Sequence, residues 1–144
     1  MRPQTNHWAA GRWVAALFFL WSLAGLAAFV MQWTMDLAEL ARADPYQAEA
    51  FRNMPAWVWT AYAIAVVAAV LGALLLLLRR KGAVVFSAVE LVAVIVQFGY
   101  TLGATDLVEK KGLGAAASFP LVIFLLALLQ LLYARWMASK GLLA

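Results

Sequence analysis

Residues 53–78 read NMPAWVWTAYAIAVVAAVLGALLLLL, an uncharged stretch of 26 residues between Arg52 and Arg79. A helix needs roughly 20 apolar residues to cross the hydrocarbon core of a bilayer, so this stretch predicts a transmembrane helix. Three more stretches of 23 or 24 residues lie between charged residues, and only Glu90 interrupts one of them. The sequence therefore predicts an all-α integral membrane four-helix bundle, a single transmembrane domain over residues 1–144. The predicted spans are 12–34, 55–79, 83–104 and 118–137.

The composition of the whole chain leads to the same class of protein. Hydrophobic residues make up 67% of the 144 residues and charged residues 12%, against roughly 45–50% and 25% in soluble domains. A soluble fold of this size has too much surface to bury so much apolar side chain. These proportions exclude a soluble enzyme, a disordered protein and a nucleic-acid partner, and they predict that the lipid bilayer surrounds the chain.

Residue types that support catalysis or metal binding are scarce. The chain has no cysteine, and its single histidine is His7. Thiolate zinc sites, iron–sulfur clusters and bis-histidine haem are therefore excluded within one chain. No motif of an activated nucleophile and no glycine-rich phosphate loop occurs. We expect no enzyme activity, no catalytic residue, no cofactor and no metal site.

The charged residues at the ends of the spans predict the orientation of the chain. One side carries seven basic residues and no acid, namely Arg2, Arg12, Arg79, Arg80, Lys81, Arg135 and Lys140. The other side, residues 35–54 and 105–117, carries six acids and four bases. The positive-inside rule then predicts that both termini are cytoplasmic. The turn of Arg79, Arg80 and Lys81 is interpreted as a topology anchor that also attracts anionic lipid.

The segment 35–54 is predicted to form one or two short helices on the outer surface. Asp44-Pro45-Tyr46-Gln47 is typical of a helix start, in which the aspartate caps the first turn, the proline takes the first helical position and the glutamine completes a capping box. Pro55 and Pro120 are interpreted as first-turn prolines that open spans two and four. Residues 111–117, rich in glycine and alanine, are expected to be flexible.

A polar stripe runs along the third span, where Ser87, Glu90, Gln97 and Thr101 fall on one arc of the helix. Glu90 lies roughly 12 Å from the cytoplasmic end of this span. A charge within a span costs about 2.5–3.5 kcal/mol, so the carboxyl needs a partner, water or a proton. Gln130 is expected at a similar depth in span four and is predicted to hydrogen-bond Glu90. Two interpretations stay open, a proton-binding or solute-binding carboxylate and an interhelical hydrogen bond that fixes packing.

Small residues line one side of the second span. Ala61, Ala65, Ala68 and Gly72 lie on this face, and such a face lets helix backbones approach closely. The pattern is consistent with packing inside the bundle. Packing against a second copy of the chain or within a larger membrane complex is the less favoured alternative.

The stretch Met54-Pro55-Ala56-Trp57, followed by the leucine run and basic turn of residues 72–81, resembles a set of small four-helix bacterial membrane proteins. In that set a Pro-x-Trp motif opens span two, a helix rich in small residues follows, and a leucine run ends in a basic turn. Asp36 after Trp33-Thr34-Met35 is similar to their acidic outer segment. The resemblance covers residues 17–104 and implies a bacterial inner-membrane protein. Some members carry the label "sugar transporter".

The chain departs from that set at two places. The glycines usual midway through span two are replaced by Val66, Val67, Ala68 and Ala69. Glu90 stands where a small polar residue is expected. The resemblance therefore implies no substrate and no functional residue for this chain.

Three functions are consistent with the sequence. The first is a non-enzymatic accessory, structural or assembly component, which packs through its small-residue faces while Glu90 ties helices together. The second is a transporter of a small solute, sugar-like and proton-linked, with Glu90 and Gln97 in the path. Because four spans enclose little space, this transporter is expected to act as an oligomer. The third is a lipid-binding or lipid-processing protein.

The surroundings of Glu90 discriminate between the first two functions. A water-filled cavity that touches Glu90 favours transport, whereas a dry and fully hydrogen-bonded Glu90 favours the structural role. Lipid binding would use the aromatic residues of the outer side. These are Tyr46, Phe51, Trp57, Trp59 and Tyr62.

Overall fold

The computed structural model describes the backbone of residues 3–144 and the side chains from Ala10 onward. Predictions that involve Arg2 and the side chain of His7 lie outside this part. The described residues form seven α-helices and no strand. In chain order the helices are α1 (Pro3–Trp33), α2 (Leu37–Ala43), α3 (Pro45–Asn53), α4 (Ala56–Leu77), α5 (Gly82–Gly103), α6 (Leu107–Lys111) and α7 (Leu113–Ser139).

Four of the helices are long and apolar enough to cross a membrane, namely α1 from Ala10 onward, α4, α5 and α7. This finding confirms the predicted number of spans. α4 packs between α1 and α5, and α5 packs between α4 and α7. Ala15, Leu76, Ala83 and Met137 share one buried cluster, so the start of α1, the α4–α5 turn and the end of α7 meet at one end. We call this the basic end, and we call α2, α3 and α6 at the other end the cap.

The fourth span begins earlier than the sequence predicts. α7 starts at Leu113, so the stretch 111–117 is mostly helical and the expectation of flexibility is wrong. Its alanines are the strongest helix formers among the residues, and Ala116 is buried. Pro120 lies inside α7 and not in its first turn. A proline there removes only the hydrogen bond to the carbonyl of Ala116, and the helix continues through it.

The cap contains two short helices between the first two spans, as predicted. Asp44 caps α3, since its Oδ1 accepts a hydrogen bond from the backbone N–H of Gln47 at 3.1 Å. The predicted capping box is only half formed, because the N–H of Asp44 donates to the carbonyl of Leu40 at 2.8 Å. One aspartate thus ends α2 and begins α3. Pro55 is the N-cap residue of α4, one position before the helix.

The basic end is closed by residues that follow α7. Arg79 after α4 has a φ of 58° and Gly141 after α7 has a φ of 72°, the left-handed conformation that commonly ends a helix. Leu142 and Leu143 are buried in the cluster of the basic end. The Nε of Arg79 donates to the carbonyl of Leu142 at 3.0 Å. The basic turn therefore makes a structural contact besides its predicted role as an anchor.

Candidate ligand-binding site

A cavity of about 760 Å³ lies between the four long helices and the cap. This volume falls in the range of small-molecule sites, roughly 300–1,000 Å³. On α5 its wall runs from Glu90 to Thr101, a length of roughly 16 Å. One chain forms this cavity by itself, contrary to the expectation that four spans enclose little space.

The contact between α1 and α7 closes the cavity toward the basic end. The rings of Phe18 and Tyr133 lie with their centroids 6.2 Å apart. Beyond this contact, on the side of the cap, Trp21 of α1 and Ile123 of α7 line the cavity. The opposite end of the cavity is lined by residues of α3 and α6, and we call this end, at the cap, the mouth.

Glu90 stands at the deep end of the cavity. Its side chain is 6% exposed, and its Oε1 is buried without a hydrogen-bond partner. Ala65 and Ala69 of α4, which line the same depth, are apolar. Among the described side chains one salt bridge forms, between Lys111 and Asp44 at the cap, and it does not involve Glu90. A buried polar atom without a protein partner is unusual, and a carboxyl within a span needs a proton, water or another partner.

The predicted hydrogen bond between Glu90 and Gln130 is not formed. The Nε2 of Gln130 donates to the Oγ of Ser87 at 3.1 Å and to the carbonyl of Ala69 at 3.5 Å. Ser87 lies about one turn closer to the basic end than Glu90 on α5. Gln130 lies at the level of Ser87 and not at the level of Glu90. Ser87 and Gln130 are buried and do not line the cavity. The predicted stripe is thus divided into a packing pair and a cavity wall of Glu90, Gln97 and Thr101.

The small-residue face of α4 makes room for the packing pair. Ala61, Ala65, Ala68 and Gly72 are all buried within the single chain. A Cβ on Gly72 would lie 2.8 Å from the Nε2 of Gln130 and 3.1 Å from the Oγ of Ser87. The absence of a Cβ at Gly72 therefore leaves the space in which α4, α5 and α7 approach closely at this level. The face is therefore occupied inside the bundle.

Two hydroxyls of the cavity wall are already engaged. The hydroxyl of Thr101 donates to the backbone carbonyl of Gln97 at 3.0 Å. The hydroxyl of Ser22 on α1 donates to the carbonyl of Phe19 at 2.8 Å. In the deep half of the described wall, the carboxyl of Glu90 and the side-chain amide of Gln97 keep hydrogen-bonding capacity for a ligand.

Polar contacts connect α3 with the α6 region at the mouth of the cavity. The hydroxyl of Tyr46 donates to Oδ1 of Asp106 at 2.8 Å. The Nζ of Lys111 lies 3.7 Å from Oδ1 of Asp44 and 5.5 Å from the ring centre of Tyr46. Burial, followed by the hydrogen bond to Asp106 and its negative charge, raises the pKa of Tyr46 to about 12. The Tyr46 hydroxyl therefore stays protonated and keeps donating throughout the physiological pH range.

The charged residues of the cavity wall are mostly acidic. They are Glu49, Glu90, Asp106 and Lys110. The wall thus holds three acids and one base, whereas the whole chain carries a formal charge of +4. The cavity wall is therefore more acidic than the chain as a whole.

The aromatic residues of the cap end form two groups. Five rings of α1, α3 and α4 make one cluster with neighbouring centroids 4.8–6.2 Å apart, namely Phe29, Trp33, Phe51, Trp59 and Tyr62. Trp57 lies apart from this cluster, with its ring 5.4 Å from that of Tyr100. Phe51, Tyr62 and Tyr46 also line the cavity, so part of the predicted aromatic set belongs to its mouth.

Sequence reasoning missed the contribution of α1 to the site. Ser22, Gly25, Ala28 and Gln32 all line the cavity. Their spacings of three, three and four place them on one face of a helix. That signal was present in the sequence, but nothing in one helix indicates that its small and polar face meets Glu90 of another.

Comparison of the chain with protein-family models, with curated proteins and with solved structures finds no match. The resemblance to small bacterial membrane proteins therefore stays a prediction. The function has to be inferred from the cavity and the side chains that line it.

Proposed function

We propose that this protein binds a small solute in the cavity and moves it through the membrane, with Glu90 as the group that recognises the solute. The observation that carries the proposal is a cavity of about 760 Å³ with a buried, unpartnered carboxyl at its deep end. Such a carboxyl lowers the stability of the fold, and violations of this kind are expected at functional sites. The protein is then a transporter-type membrane protein without an enzymatic step.

The alternative, an accessory or structural component, has less support. That function requires Glu90 to tie helices together, yet Gln130 is engaged with Ser87 and with the carbonyl of Ala69. It also requires a small-residue face for a partner, and the face of α4 is buried inside the chain. The amide of Gln130 and the small-residue face of α4 are thus both engaged inside the chain, in contacts other than those that the alternative requires.

Glu90 also suggests how solute movement is linked to a proton. A charge at this depth is costly, so the carboxyl holds either a proton or a donor group of the solute. The residues of the other helices at the deep end, Ser22 of α1, Ala69 of α4 and Ile123 of α7, have no ionisable side chain. The other charged residues of the wall, Glu49, Asp106 and Lys110, lie at the mouth. Solute and proton would therefore exchange at Glu90 itself.

We further propose that the chain lies in a bacterial inner membrane with its basic end in the cytoplasm. The described basic residues of that end are Arg12, Arg79, Arg80, Lys81, Arg135 and Lys140, and no described acid lies among them. The positive-inside rule supports this orientation. The cap, and with it the mouth of the cavity, would then face the outside of the cell.

Single cysteines test whether the cavity is open to water, because the natural chain contains none. Val94 and Ala93 are neighbours on α5 with exposed fractions of 4% and 7%, but only Val94 lines the cavity. In proteoliposomes, we expect a small water-soluble methanethiosulfonate reagent to modify Val94→Cys much faster than Ala93→Cys. Ser139→Cys, at an exposed position on the basic end, serves as the positive control in detergent. Equally slow modification of both buried positions would contradict the proposed function and return Glu90 to a structural role.

A further inference from the structure

We infer that the solute of this cavity is an amphipathic ammonium, a protonated amine on a compact apolar or aromatic body. The inference rests on the proposed function and names the chemical class of its solute. Three features carry it: the acceptor at the deep end, the charge of the wall and the apolar surface around Glu90.

The deep end offers a strong acceptor and no cation to match it. The Oε1 of Glu90 is buried without a donor, and the one basic residue of the wall, Lys110, belongs to the mouth on α6. A hydrogen bond between an ammonium and a carboxylate is roughly twice as strong as a neutral one. Each charge alone is costly to bury, and the pair relieves both costs when its geometry is good.

The space around Glu90 suits an apolar body. Trp21, Phe98 and Phe119 line the cavity, together with alanines and valines of α4 and α5, namely Ala65, Val66, Ala69 and Val94. Aromatic faces attract ammonium groups and pack against apolar ones. A solute with one charged end and an apolar remainder therefore finds complementary surface near Glu90.

A sugar fits this wall less well. A sugar carries a hydroxyl on nearly every carbon, and each hydroxyl needs a partner when it is buried. On α1 and α5, the hydroxyls of Ser22 and Thr101 already donate to backbone carbonyls, and the carboxyl of Glu90 and the amide of Gln97 remain. Around Glu90, these few polar groups match an amine and leave a polyol largely unsatisfied.

The entrance reinforces this selection. Glu49 and Asp106 line the mouth together with Lys110, so two acids meet the solute with one base before it reaches Glu90. Acidic wall charges raise the local concentration of cations. The path and the site therefore favour the same charge.

Two probes of nearly equal size test the inference. Naphthylmethylammonium and naphthylmethanol differ in charge and share the same aromatic body. With the full chain in lipid nanodiscs, and with protein-free nanodiscs subtracted, equilibrium dialysis is expected to show saturable binding of the ammonium about tenfold tighter than that of the alcohol. Glu90→Gln keeps the size of the side chain and is expected to remove this preference, whereas Glu90→Asp retains part of it. Glu39→Gln removes an exposed acid of α2 and is expected to bind as the natural chain does.

Equal affinity for the two probes, or ammonium binding that Glu90→Gln leaves unchanged, overturns the inference. The cysteine experiment separates this failure from failure of the proposed function. If Val94→Cys is modified and the ammonium is not preferred, the cavity binds another class of solute and only the inference is wrong. If Val94→Cys resists modification, both are wrong.

Discussion

Glu90 and Gln130 are both buried polar side chains of neighbouring helices, with exposed fractions of 6% and 1%, but their surroundings differ. Gln130 donates to Ser87 and to the carbonyl of Ala69. Glu90 has an oxygen that accepts no hydrogen bond. An unsatisfied buried polar group costs about 1–3 kcal/mol, whereas a satisfied one contributes about 0.5–1.5 kcal/mol of net stability. This contrast fits a packing role for Gln130 and supports the proposal that Glu90 binds the solute.

Matched substitutions measure this contrast. Glu90→Met removes the unpartnered carboxyl and keeps the length of the side chain, so we expect the free energy of unfolding to rise by about 1–3 kcal/mol. Gln130→Met removes two hydrogen bonds and leaves Ser87 unpaired, so we expect a loss of about 1–2 kcal/mol. Equilibrium unfolding in mixed detergent micelles gives both values. A loss for Glu90→Met as large as that for Gln130→Met would show that Glu90 stabilises the bundle.

At the scale of the helix, Gly72 is the position where α4 has the least space. A Cβ there would lie 2.8 Å from the Nε2 of Gln130, so Gly72→Ala must displace that amide from Ser87. We expect a loss of about 1–2 kcal/mol in the free energy of unfolding. Gly99 of α5 is the control, because nothing lies within 4 Å of a Cβ built on it. Gly99→Ala is expected to leave stability unchanged or to raise it slightly, since alanine favours a helix.

Equal effects of the two alanine substitutions would mean that α4, α5 and α7 do not approach closely at Gly72. The packing pair of Ser87 and Gln130 would then not depend on the glycine. Adding Gln130→Ala to Gly72→Ala removes the displaced amide. Part of the lost stability is expected to return, because the loss comes from the clash between the new Cβ and the amide of Gln130.

The helices themselves could be predicted to different extents. Asp44 was predicted as a cap from a local pattern, and it is one, because capping depends on residues within one turn. Pro120 was predicted to begin span four and instead lies inside α7. A single proline does not determine where a helix begins. The alanines before Pro120 favour a helical backbone and extend α7 toward its start. Local rules therefore located the spans better than they located the ends of the spans.

At the scale of the whole molecule, the proposed orientation predicts which residues a reagent can reach from outside. Ala104 follows α5 at the cap end and Ser139 ends α7 at the basic end, and both are exposed. In intact bacterial cells, a membrane-impermeant maleimide is expected to label Ala104→Cys. Ser139→Cys is expected to react only after the membrane is opened. These substitutions leave every charge of the chain in place, so they do not disturb the signals that set its orientation.

Labelling of Ser139→Cys in intact cells, with Ala104→Cys protected, would reverse the orientation. The cavity would then open to the cytoplasm, and the solute would be collected from there. Labelling of both positions in intact cells would contradict a crossing of the membrane by α7, the long helix that lies between them. As a control, the same variants are labelled in opened cells, where both cysteines are expected to react.

The sequence by itself determined that the described chain has four spans, because each span needs only its own apolar length. It also determined the residues of interest, since Glu90 interrupts an apolar helix and the small residues of α4 recur at a helical period. Only the tertiary structure decided what these residues do. The partner of Gln130 depends on a difference of about one turn between helices, and the cavity depends on how α1 and α7 diverge from the contact between Phe18 and Tyr133. Such relations arise between helices distant in sequence, and helix packing, not local pattern, sets them.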